Sequence, residues 1–196
     1  MPFIGNKPAA VPLTSADITD GIIVNADIAS GAAIALTKLA STGTLTVDNI
    51  QFPATQVASS NANNLDDYEE GTFTATITGS TTAGTATYST QQAKYTKIGK
   101  AVNIQIHLGW SGGTGSGTAM YIAGLPFTSD SAVIQGLALG FLDNVAMSAG
   151  QYCTMNIAIN DTKIRFFRLP TGGGGADDLA YDAAGSVSVG GTYFTT

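Results

Sequence analysis

Beyond residue 65 the chain alternates apolar and polar positions almost without a break. Phe73, Ala75 and Ile77 interleave with Thr72, Thr74, Thr76 and Thr78, and Val102, Ile104, Ile106 and Leu108 interleave with Asn103, Gln105 and His107. A period of two marks strands that put one face on a core and the other in solvent. The pattern predicts strands over 72–78, 85–89, 95–98, 102–108, 119–122, 133–142, 152–159, 163–169 and 186–195. Turn signals separate them: residues 79–84, Gly99-Lys100, a glycine-rich loop over 111–117, and Asn160-Asp161, a two-residue hairpin signal without the favoured glycine. Short strands without a long helical period predict an all-β head, a β-sandwich of jelly-roll type.

The first third of the chain reads differently. Only Phe3 and Phe52 of the sixteen aromatic residues lie before residue 66, and Ala, Thr, Ile, Leu, Asn and Gly fill the rest. Such side chains bury too little area per residue to offset the entropy of ordering a backbone. Residues 1–64 are therefore expected to be an extended anchoring arm that folds against something else, and residues 65–196 to be the head. The arm opens with Phe3, Ile4, Gly5, Asn6, Pro8 and Pro12, where the prolines fix φ and remove donors. These six are its candidate anchor.

A short repeat follows, Ser15-Ala16-Asp17-Ile18-Thr19-Asp20-Gly21-Ile22 and then Asn25-Ala26-Asp27-Ile28-Ala29-Ser30-Gly31-Ala32, with an echo at Thr37-Lys38-Leu39-Ala40-Ser41. So short a unit cannot bury its own aliphatic residue, and stacking or intertwining of copies is the usual solution. Ile18, Ile22, Ile28 and Leu39 are the candidate contacts between copies. The competing reading is two short helical turns capped by Asp17 and Asp27. Residues 42–50 alternate and predict one more strand, ended by Pro53.

Composition narrows the partners. Charged residues make up 11% and the net charge is −6. Nucleic acid is argued against, because phosphate neutralisation needs clustered Lys and Arg, and the densest basic run is Lys94, Lys97 and Lys100. No stretch is apolar enough for a membrane helix, and a signal peptide is not expected. Cys153 is the only cysteine, so no disulfide can form within the chain. Its neighbours Met155 and Ile157 alternate with polar residues, which makes it an inward-facing strand residue.

Three segments carry a resemblance. Asp66-Asp67-Tyr68-Glu69-Glu70-Gly71-Thr72-Phe73, then Tyr95-Thr96-Lys97-Ile98-Gly99-Lys100-Ala101-Val102, then Gly124-Leu125-Pro126-Phe127-Thr128 resemble a module common in virion proteins of tailed bacteriophages, found in tail fibres and related appendages. Phe3-Ile4-Gly5-Asn6-Lys7-Pro8-Ala9 is similar to the start of such proteins. The resemblance implies a trimeric, β-rich appendage on the virion surface. Within it, Asp66, Asp67, Glu69 and Glu70 read as a solvated lead-in to the first strand, or alternatively as a calcium site or a salt-bridged ring with Lys94, Lys97 or Lys100 of a neighbour. Tyr95 and Ile98 read as core anchors, with Gly99 allowing a tight turn.

Signals for chemistry are weak. His107 is the only histidine, on the polar phase of its strand, with no local sign of a nucleophile elbow. Glycoside hydrolysis needs two carboxylates across one sugar ring, which Asp143, Asp161, Asp177, Asp178 and Asp182 could supply. Gly172 to Gly175 lacks the Lys-Ser or Lys-Thr of a phosphate loop and reads as a hairpin tip. That tip, with Gly173 and Gly174, and the loop holding Gly113 and Gly115 are the candidate receptor-facing loops. Trp110 beside the second could stack on a sugar or sit in the core. The sequence calls for no enzyme activity, metal or cofactor. With the resemblance it implies a structural virion protein: a homotrimeric short fibre or knob anchored by its arm, with an exposed β head for host attachment; the alternatives are a capsid cement protein and a glycan-binding receptor-recognition module of the tail.

Overall fold

The computed structural model describes residues 24–29, 32 and 67–195. The candidate anchor residues Phe3, Ile4, Gly5, Asn6, Pro8 and Pro12, the contacts Ile18, Ile22 and Leu39, the strand at 42–50 and the boundary at residue 65 lie outside the described residues. In the second repeat unit, Asn25–Asp27 form one turn of 3₁₀ helix. Asp27 closes this turn rather than capping it, since its carboxylate accepts the Val24 N–H at 2.9 Å. Ile28 follows it, exposed.

Residues 67–195 form two antiparallel sheets. The first has five strands in the order β1 (Tyr68–Thr72), β3 (Thr87–Ile98), β4 (Ala101–Ser111), β11 (Gly185–Phe194) and β7 (Ala138–Asp143). The second has β2 (Thr76–Gly79), β5 (Met120–Ala123), β9 (Lys163–Pro170), β8 (Gln151–Ile157) and β6 (Gln135–Gly136), with β10 (Asp177–Asp178) paired to β9. The inward phase of the first sheet supplies Val102, Ile104, Ile106, Leu108, Val187, Val189 and Tyr193 to the core. The second supplies Ile77, Met120, Ile122, Met155, Ile157, Ile164 and Phe166. The alternation in the sequence thus marks the buried face of nearly every strand.

Alternation does not say which sheet a strand joins. The run predicted over 72–78 is two strands, β1 in one sheet and β2 in the other, with the crossing at Phe73, Thr74 and Ala75. The run over 133–142 splits likewise into β6 and β7 around Leu137. A residue facing inward keeps facing inward as the chain crosses the sandwich, so the period survives while the hydrogen-bonding partner changes. The runs at 85–89 and 95–98 are instead one long strand, β3, with a bulge between Tyr88 and Thr90. Its middle is Ser89-Thr90-Gln91-Gln92, which offers no apolar phase to read.

Two local expectations change. Tyr95 and Ile98 cannot share a face, being an odd number of residues apart on one strand. Tyr95 packs against Phe73 and Phe127, with ring centroids 6.3 and 5.4 Å away, while Ile98 faces solvent and Lys97 is buried. Between Ile157 and Lys163 the loop is five residues rather than two, with Asn160 at a φ of 52° supplying the left-handed turn. The β3–β4 turn does use Gly99, at φ 56°, in the first of its two central positions.

Candidate functional site

Trp110 is core. It is 4% exposed, and its indole N–H donates to the Asp182 carbonyl at 3.1 Å. Its ring is therefore not available to stack on a ligand, which corrects its placement among the receptor-facing residues. The loop holding Gly113 and Gly115 is not an adaptable loop either. Its backbone is tied to residues 81–85 and to Ala183, with Gly113 N–H to Ala183 O at 2.8 Å and Thr114 N–H to Thr85 O at 2.9 Å. A Cβ on Gly115 would lie 2.5 Å from the Tyr181 ring. Gly173 and Gly174 differ: both are exposed at the β9–β10 connection, at φ of 84° and 147°.

The acidic run is engaged within the chain. Asp67 is buried and paired with the buried Lys97 of β3. Tyr95 donates its hydroxyl to Glu69, and that hydrogen bond pushes the phenol up to about 12. Tyr68 donates to Glu70 at 3.0 Å. Burying a charge demands a close partner, and the antiparallel β1–β3 register, with Glu69 opposite Lys97 and Gly71 opposite Tyr95, sets Asp67 diagonal to Lys97 and Glu69 diagonal to Tyr95. Of the expected solvated lead-in, Glu69 and Glu70 are exposed on β1, Asp67 is buried instead, and Asp66 lies outside the described residues; Lys97 is engaged within the chain rather than with a neighbour's acidic run. Among the described residues no group of three His, Cys, Asp or Glu is arranged to hold a metal ion.

The outer face of the five-stranded sheet holds a different arrangement. Register sets Gln92 opposite His107, His107 opposite Ser188, and Ser188 opposite Phe141. The adjacent row runs Thr72, Lys94, Gln105, Gly190 and Ala138. Directly opposed side chains are about 5 Å apart and successive rows about 7 Å apart. The result is an open groove of about 820 Å³ lined by Gln92, Lys94, Gln105, His107 and Ser188, with Gly190 in its floor. The His107 ring meets Phe141 edge-on at 5.5 Å. Among the described residues no side-chain hydrogen bond engages Gln92, Lys94, Gln105 or Ser188, so two amides, an ammonium and a hydroxyl face outward together.

On the outer face of the six-stranded sheet, Arg165 and Lys163 of β9 are engaged. Arg165 holds Asp178 through two hydrogen bonds of 2.6 Å and lies 4.8 Å from the Phe167 ring. Lys163 covers Tyr121 at 5.6 Å. The other candidate carboxylates are spread over separate elements, with Asp161 bonded to the Thr162 N–H at 2.7 Å and Asp182 to the Ala146 N–H at 2.9 Å. Burial pushes the half-buried Cys153 thiol up to about 11.

The groove was not legible in the sequence as a site. His107 and Gln105 read as solvent-phase positions while Gln92 falls between two predicted strands, and only the pairing of β3, β4 and β11 brings the three into adjacent rows. No protein-family model matches the chain, and no curated protein sequence matches it. Among solved structures the fold is similar to that of the Dettilon tailspike protein, with a TM-score of 0.53 and 17% sequence identity. The similarity covers 65% of this chain and 24% of the tailspike chain, so this chain spans about a quarter of the tailspike it matches.

Proposed function

We propose that this chain is a structural virion protein of a tailed phage: a homotrimeric short fibre or knob, carried by its N-terminal arm, with the β head turned outward for host attachment. The observation that carries this reading is the fold likeness to part of a phage tailspike over 65% of this chain. The module resemblance at residues 66–73, 95–102 and 124–128 supports it independently of that likeness. Attachment is assigned to the groove over β3, β4 and β11. Glycans present many neutral hydroxyls, and recognising them takes unengaged amides and hydroxyls on a rigid surface. Gln92, Gln105 and Ser188 meet that requirement, and Gly190 leaves room for a ring to approach the sheet.

The test is competition. Purified full chain in excess should block adsorption of the particles that carry it. Gln105→Ala and His107→Ala chains should block at least tenfold less well at equal concentration. Undiminished adsorption, combined with a copy number matched to the capsid lattice and particles that weaken on its removal, would replace attachment with capsid cementing.

A further inference from the structure

We propose that an exposed apolar strip on the head, formed by Ile98 and Phe194 with Val133 and Ile134, is where the head of a second copy of this chain seats. The proposal rests on the trimeric reading above and names the surface that such an assembly would use outside the arm.

The strip follows from register. Tyr68 stands opposite Ile98, Ile98 opposite Ala101 across the β3–β4 turn, and Ala101 opposite Phe194. All four are on the outward phase, since Lys97, Val102 and Tyr193 take the inward one. Beyond Phe194 the row continues into an apolar groove of about 550 Å³, bordered by Val133, Ile134, Lys100 and Asp130. Ile98, Phe194, Val133 and Ile134 are 51–62% exposed. The neighbouring rows of the same face carry Thr96, Asn103 and Thr192, then Lys94 and Gln105. Apart from Phe141 beside His107, the large apolar side chains of this face gather at one end, and a contiguous exposed apolar patch rimmed by polar residues marks an interaction surface.

Two features select a second copy as the occupant. The strip carries charge at both ends, with Glu70 on β1, an edge strand among the described residues, and Lys100 at the β3–β4 turn beside Asp130 at the apolar groove. A head rotated so that its β1 edge meets the next head's Lys100 side makes one repeated, heterologous contact, the kind that closes into a ring. The strip also begins at Tyr68, one residue into the described head, where the 66 preceding residues join it. Copies held by their arms would bring their strips together at an effective concentration in the millimolar range. A patch smaller than the roughly 800 Å² per partner of a free-standing interface suffices under that condition.

The test uses the full chain in two arms. Ile98→Lys combined with Val133→Lys places two ammonium groups on the strip, at positions that face solvent in a single copy. Sedimentation should show the assembly dissociating at a concentration at least tenfold lower in the wild-type chain than in the variant, with an unchanged far-ultraviolet spectrum. In the wild-type assembly, amide exchange at Ile98, Val133, Ile134 and Phe194 should slow on going from dilute to concentrated protein, which reports the contact without any substitution. A wild-type chain monomeric at micromolar concentration overturns the assembly reading and this proposal with it. An assembly whose dissociation ignores the two lysines and whose strip amides ignore concentration overturns this interface alone.

Discussion

Two segments of the head carry four glycines each and behave as opposites. The loop at 111–117 is laced to residues 79–85: the Thr81 and Thr82 N–H groups both donate to Ser116 O, and Ser116 N–H donates back to Thr82 O at 3.0 Å. The tip at 171–175 has one backbone hydrogen bond of this kind, from Thr171 N–H to Gly150 O at 2.8 Å. In the first, glycine lets two backbones approach more closely than any side chain would permit. In the second, Gly172, Gly173 and Gly175 have open space where a Cβ would stand. Glycine content alone therefore says nothing about whether a loop is free to meet a ligand; what occupies the missing Cβ position decides it.

The largest effect expected from this contrast is at Gly84, which faces the laced loop. Its φ is +72°, and a Cβ there would lie 2.1 Å from the Gly115 nitrogen. Gly84→Ala combines a left-handed residue with a backbone collision and should destabilise the head by about 3 kcal/mol or more. Urea denaturation followed by tryptophan fluorescence would read it, since Trp110, the single tryptophan, is buried immediately before the laced loop. A cost below about 1 kcal/mol would mean that the two backbones separate easily and that the contrast is false.

Cys153 asks whether the freedom of the tip runs down the hairpin that carries it. It pairs with Arg168, two pairs in from Gln151 and Pro170 at the hairpin's outer end. Burial raises its thiol from an ordinary 9.0 to about 11, outweighing the hydrogen bond from the Phe167 backbone that lowers it. At pH 8 the thiolate fraction is then about 100-fold below that of a free thiol. A disulfide reagent should label the native chain about that much more slowly than the denatured chain. The folded value lies above the unfolded one, so this group's contribution to stability is whole below pH 9 and is lost as pH rises through 11. The melting temperature should decline over that window. Rapid labelling at pH 8 would show that the tip frays into the sheet.

Thr114 gives a smaller effect on the laced side. Its hydroxyl accepts the Thr85 N–H at 3.0 Å, an addition to the backbone bond between the same two residues. Thr114→Val removes this bond together with the 3.3 Å contacts of the same hydroxyl to the Thr85 hydroxyl and carbonyl, all at an exposed site, and the expected loss is about 0.5–1 kcal/mol. Faster amide exchange at Thr85 than at Thr82 in this variant would assign the loss to that bond.

The same distinction explains what the sequence shows and what it hides. Inward positions such as Ile104, Ile122 and Phe166 are legible because alternation is a local property. The buried Lys97 was hidden, because an ion pair with Asp67 depends on a strand pairing some thirty residues long in sequence. Trp110 is ambiguous for the same reason, its fate being settled by the Asp182 carbonyl far along the chain. The groove is the extreme case, since Gln92, Gln105 and Ser188 come from three strands and become a site only through register. Glycines fall between these cases: the turn at Gly99 is readable from its neighbours, but the lacing of Gly84 onto Gly115 is not.

The smallest predicted effect is also the one with the opposite sign. Gly175 sits at the free tip with nothing within 4 Å of a Cβ, and it is not among the glycines with positive φ. Alanine there should restrict the unfolded chain without touching the folded one, which stabilises by about 0.4–1 kcal/mol. Gly173 and Gly174 are unsuitable for this comparison because their φ values of 84° and 147° would strain any side chain. Removing Gly172 and Gly175 together should change stability little, since loop-closure entropy depends only weakly on length. Measured beside Gly84→Ala, the Gly175→Ala variant turns one chemical change into two outcomes of opposite sign. A destabilisation at Gly175 would mean that the tip is held by contacts after all, and the two glycine-rich segments would then be alike.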